Sequence, residues 1–124
     1  MAINSEKLGH ILQSFVTTTS DVQGAAIVTP DGLPLASFLP GGMDDERVSA
    51  MSAAMLSLGD RIGKELARGE IERIYVEGSE GLSVLTSCGA DAVFLVLASK
   101  DVKQGLLMLE IKRTLTNLKQ FLMY

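Results

Sequence analysis

The chain has no tryptophan, and only 5% of its residues are aromatic. Any core must therefore be built mostly from aliphatic side chains. A single cysteine, Cys88, excludes an internal disulfide framework. With one histidine, His10, beside that one cysteine, no zinc ligand set can be assembled from these residue types alone. There is no run of lysine or arginine and the formal net charge is −4, which disfavours a nucleic-acid partner. The longest unbroken apolar run, residues 92–98, falls far short of the ~20 residues needed to span a bilayer, so no membrane insertion is expected. The N-terminal "MAINSEKLGH" carries no apolar stretch of the kind a signal peptide needs. These absences lead to the expectation of a soluble, cytoplasmic protein.

What is present is aliphatic bulk. Apolar residues make up 47% of the chain before its 12 glycines are counted, a surplus over the usual ~45–50% that includes glycine. A domain with more apolar surface than its own core needs can bury the excess against another subunit. The 124 residues suit one domain, and no repeat, linker or low-complexity segment divides them.

Periodicity predicts a helix over residues 5–18, capped by Asn4 or Ser5, with Leu8, Ile11, Leu12, Phe15 and Val16 on one face and His10 on the wet face. Strands are predicted over 24–29 and 33–38, joined by Pro30-Asp31-Gly32, a turn in which Gly32 takes the left-handed conformation. Pro34 makes the second strand an edge or partly irregular one. A long helix follows, from an Asp44 or Asp45 cap to about Arg68, with Gly69 suited to its end. Val48, Met51, Met55, Leu58, Ile62 and Leu66 form a stripe expected to face the core, while Ser, Ala and Gly leave the rest of the surface small. Strands over 71–77, 82–88 and 92–99 come next, the last apolar on both faces and so central in a sheet. A helix over 103–122 closes the chain, with Leu107, Ile111, Leu115, Leu118 and Leu122 inward.

No catalytic constellation stands out. Gly63-Lys64 resembles a phosphate loop only superficially: Glu65 occupies the position of the required Ser or Thr, and Leu58 that of the first glycine. Asp44, Asp45 and Glu46 suit a cation or, more simply, a helix N-terminus. Cys88 reads as a packing residue, with no histidine near it in sequence. The chain is expected not to be an enzyme and to hold no cofactor.

Four stretches together resemble the roadblock family, the dynein light-chain-type proteins and their bacterial and archaeal relatives: "GAAIVTPDGLPLAS" at 24–37, "AMSAAMLSLGDRIGKELARGEIERIYVEG" at 50–78, "GLSVLTSCG" at 81–89 and "AVFLVLAS" at 92–99. The resemblance implies a profilin-like α/β sandwich, a five-stranded antiparallel sheet with one helix on one face and two on the other. It also implies a dimer, of this chain with itself or with a paralogue, in which third-strand edges pair and the long middle helices pack together. Ile71, Arg73, Ile74, Tyr75 and Val76 of the strand, with Ala50, Ala53 and Ala54 of the helix, are the interface residues so assigned. Family members act by protein contact; some regulate small Ras-like GTPases in polarity or motility, and others belong to dynein or lysosomal scaffolds. Ala54, Ser57, Arg61 and Lys64 are the positions assigned to such a partner. An arginine can act on a bound nucleotide, but none of Arg47, Arg61, Arg68, Arg73 and Arg113 is marked by a motif. The short ends of the chain suggest no appended effector segment. Two other readings stay open: a small-molecule sensor on the same sandwich, and a structural subunit of an assembly with no GTPase partner.

Overall fold

The computed structural model describes residues 4–89 and 91–122. Eight elements follow one another: α1 (Ser5–Thr18), β1 (Val22–Val28), β2 (Pro34–Phe38), α2 (Asp45–Glu65), β3 (Arg73–Gly78), β4 (Gly81–Ser87), β5 (Val93–Ser99) and α3 (Gln104–Lys119). This is the predicted order, with ends displaced by a few residues. The strands form one antiparallel sheet in the order β2-β1-β5-β4-β3. β5 lies at its centre, as its doubly apolar sequence requires. β2 is one edge, where Pro34 faces Val28 across a register shift and costs no ladder bond on its open side. β3 is the other edge.

Local chemistry sets the boundaries. Asn4 caps α1 by accepting a hydrogen bond from the Lys7 backbone N–H at 3.1 Å, and Asp44 caps α2 by accepting one from Glu46 N–H at 3.0 Å. The Pro30-Asp31-Gly32 segment is a turn: Gly32 has φ of +96°, and the Leu33 N–H donates to Thr29 Oγ1 at 2.9 Å. α2 stops three residues before the predicted end. Ala67 takes the left-handed conformation that terminates it, with φ of 57°, and Gly69, left-handed too at φ of +85°, lies two residues beyond that stop. Arg68 N–H then donates to the Gly63 carbonyl at 2.7 Å and Ala67 N–H to that of Lys64 at 3.2 Å, satisfying two carbonyls of the last turn.

The sheet separates two apolar layers. On one face Leu8, Leu12 and Phe15 of α1 and Leu107, Ile111 and Leu118 of α3 meet Ile27, Val84, Phe94 and Val96, all buried. The Phe15 and Phe94 rings stand 5.5 Å apart in a tilted pair. On the other face α2 covers Ala26, Val28, Leu85, Val93 and Leu95. One helix on one face and two on the other is the architecture that the resemblance implies.

Candidate functional site

The expected core stripe of α2 is largely outside the core. Met51 is 58% exposed, Leu58 53%, Ile62 47% and Leu66 62%; only Val48 and Met55 are partly covered. The residues that face the sheet are instead Ser49, Ser52, Leu56, Gly59 and Gly63. The physical reason is distance. A Cβ on Gly63 would lie 2.8 Å from the Gly69 carbonyl oxygen and 2.8 Å from Ile71 Cδ1, and one on Gly59 would lie 2.5 Å from Ile74 Cδ1. The helix approaches the β3 side too closely for larger side chains. Ser49 and Ser52 remain buried at little cost because their hydroxyls donate to the Asp45 and Val48 carbonyls at 2.7 and 2.9 Å.

With its small face down, α2 turns its large apolar side chains sideways, over β3. Two of them, Met51 and Met55, border Val76, itself 46% exposed, and Met43. Met43, Met51, Met55, Val76 and Leu97 line a groove of about 330 Å³ between the helix and the sheet. The helix flank and the β3 edge therefore form one exposed apolar region, beside a strand whose outer backbone groups have no sheet partner among the described residues.

The sequence-assigned interface residues fall into two sets. Arg73, Ile74, Tyr75 and Val76 lie on the edge strand and Ile71 just before it. Ile74 packs into the α2 layer, while the Tyr75 hydroxyl donates to Met108 Sδ of α3 at 3.2 Å. Arg73 Nε is buried without a hydrogen-bond partner, as is Oγ1 of Thr86, the residue opposite it. The alanines do not line the apolar flank. Ala50 and Ala54 are exposed, whereas Ala53 is partly covered beside the β1–β2 turn, where a Cβ on Gly32 would lie 3.6 Å from its own.

Ser57, Arg61 and Lys64 share the exposed outer face of α2 with Ala50 and Ala54. Arg61 pairs with Glu65 at 3.2 Å in the solvent, and Lys64 borders a depression with Pro30, Asp60 and Glu70. Arg47 is exposed, Arg68 donates to the Leu66 carbonyl at 2.9 Å, and Arg113 pairs with Glu110 at 3.1 Å on α3. The five arginines do not converge.

Met51, Leu58, Ile62 and Leu66, expected in the core, are surface residues, and Met43 beside them carried no expectation. A signal was available. Ser49, Ser52, Leu56, Gly59 and Gly63 recur at intervals of three and four, as regularly as the large residues do. Cys88 is buried, and its thiol is raised to about 11 by burial, with Lys119 opposing the rise. His10 is exposed, on the wet face of α1. Among the described residues no helix is long and apolar enough to cross a membrane, and no three or more His, Cys, Asp or Glu side chains cluster as metal ligands would.

The Roadblock/LC7 domain pattern matches residues 8–98. The chain belongs to this family. Two uncharacterised proteins of Methanocaldococcus jannaschii are 33% identical over 101 residues, 82% of this chain and 88% of theirs. Among solved structures, the Roadblock/LC7 domain from Streptomyces avermitilis superposes with a TM-score of 0.88 at 19% identity, covering 95% of this chain and 99% of that one. MglB of Myxococcus xanthus gives 0.87 at 16%, covering 97% and 90%. Profilin IA of Acanthamoeba castellanii gives 0.64 at 14%, covering 90% and 96%, so the sandwich is profilin-like. At these identities the solved structures establish the Roadblock/LC7 fold.

Proposed function

We propose that this Roadblock/LC7 chain is a cytoplasmic, non-catalytic regulator that pairs with a second copy, or a paralogue, and docks a small Ras-like GTPase. The observation that carries the reading is the uncovered apolar flank of α2 beside the open β3 edge. A helix that holds Met51, Leu58, Ile62 and Leu66 in water while burying serine and glycine is arranged for a second protein surface. Two such flanks brought together over paired β3 edges would cover both features at once. Roadblock proteins act through protein contacts, and the resemblance to GTPase-regulating members supplies the partner class.

In that arrangement Ala50, Ala54 and Ser57 remain outward on each α2, forming a shallow platform flanked by Arg61 and Lys64. Small residues permit close approach of a partner, and the two cations suit an acidic rim. The test is to purify the chain, present the small Ras-like GTPases of its own cell one at a time in GTP- and GDP-bound forms, and measure binding. One of them should bind. Ala54→Arg should weaken that binding at least tenfold while stability changes by no more than about 0.5 kcal/mol, because the site is solvated in the free protein. Binding unaffected by Ala54→Arg places the partner elsewhere, and no binding to any of them removes the GTPase reading.

A further inference from the structure

The β3 strand carries a charge pattern that is complementary to itself. In β3, Arg73, Tyr75 and Glu77 lie opposite Thr86, Val84 and Leu82 of β4. Val84 and Leu82 belong to the layer under α1 and α3, and Tyr75 bonds to Met108 of α3, so these three β3 residues share the α3 face. Ile74 packs in the other layer, and Val76 lines the groove beside α2. Among the described residues neither Arg73 nor Glu77 has an ion-pair partner: the two pairs there are Arg61–Glu65 and Arg113–Glu110. Arg73 also has an unpaired, buried Nε.

A two-fold axis normal to the sheet would put both α2 helices on the same side and make β3 antiparallel to its copy. Residues directly opposite in such a pair point to the same face. Their numbers must then share parity, so the axis passes through a residue and the possible registers are few. With the axis at Tyr75, each Arg73 stands opposite the copy's Glu77, twice over, on the α3 face. On the α2 face each Ile74 stands opposite the copy's Val76. Moving the axis to Ile74 leaves Arg73 against tyrosine and Glu72 against Val76. Moving it to Val76 sets Glu77 against tyrosine and Ile74 against Gly78. Axes at 73 or 77 bring like charges together.

The geometry points to a homodimer whose sheet continues across β3 with the two-fold axis at Tyr75, held in register by reciprocal Arg73–Glu77 pairs. It rests on the dimer reading above and adds the partner, a second identical chain, and the register. A paralogue lacking either charge at these two positions would forfeit a pair, so the pattern is a device for choosing self.

The experiment uses charge reversal and mixing, with the dimer dissociation constant measured by sedimentation. Arg73→Glu and Glu77→Arg each convert both attractive pairs into repulsive ones, and each alone should raise that constant on the order of tenfold or more. An equimolar mixture of the two variants restores both pairs between unlike chains and should return to the parent constant as a one-to-one dimer. As a check independent of charge, Tyr75→Cys should form a symmetric disulfide, because opposite Cα atoms at the axis are ~4.5–5.5 Å apart. Ile74→Cys and Val76→Cys should crosslink with each other in a mixture and not with themselves. A dimeric parent whose mixed variants bind no better than each alone, or whose self-crosslink falls at 74 or 76, overturns the register and leaves the dimer standing. A monomeric parent removes both.

Discussion

Cys88 shows how far a single residue's role could be read from its neighbours. Its position at a strand end and the absence of a nearby histidine in sequence pointed to packing, and the side chain is indeed buried under the α1–α3 layer. Burial raises its thiol to about 11, and Lys119 pulls weakly the other way. The folded state therefore holds this proton more tightly than the unfolded chain, whose thiol has the ordinary value of 9.0. The resulting stabilisation is complete below pH 9 and is lost as pH rises towards 11. Native protein at pH 8 should react only slowly with a disulfide-exchange reagent, and stability should fall between pH 9 and 11, less steeply in Cys88→Ala. Rapid stoichiometric labelling of the native thiol would contradict this. Ala67 was not legible in the same way. Its left-handed backbone ends α2 where Gly69 had looked the better candidate, because hydrogen bonds back to Gly63 and Lys64 fix the stop two residues earlier.

At the scale of one element, α2 is where sequence reasoning chose the wrong face. Two stripes have helical spacing, one of large apolar residues and one of Ser, Leu and Gly, and hydrophobicity alone favours the first as core. What decides is the separation between helix and sheet, which depends on tertiary contacts that no local pattern states. Gly63 tests the assignment by the sign of one substitution. On a solvated helix face, Gly→Ala stabilises by roughly 0.5–1 kcal/mol. Here the added methyl would meet the Gly69 carbonyl and Ile71, so Gly63→Ala should destabilise by about 1–3 kcal/mol in denaturant unfolding. A stabilised variant would return the small-residue face to the solvent. The apolar periodicities of α1 and α3 did give the right faces, since both helices bury leucine, isoleucine or phenylalanine against the sheet in the ordinary way.

For the whole molecule, the element order and the central place of β5 were readable because alternation and turn chemistry are local. β3 as an open edge followed only from the resemblance, since edge and centre are decided by what lies alongside. The site was readable in part for the same reason. The strand residues of the candidate interface lie on an edge strand, whereas Met51, Leu58, Ile62 and Leu66 of the α2 stripe had been expected in the core, so that the apolar flank of α2 went unrecognised. That flank and the β3 edge are the features most in need of a partner, and self-association through them is the central claim. Sedimentation of the parent chain and of Ile62→Glu at micromolar concentration tests it directly. The parent should sediment at twice the 13.2 kDa chain mass. Ile62→Glu, which places a charge on the exposed flank and leaves the buried face of α2 unchanged, should sediment at 13.2 kDa with its fold retained. A parent at 13.2 kDa across that range, or an Ile62→Glu variant as dimeric as the parent, would contradict the account.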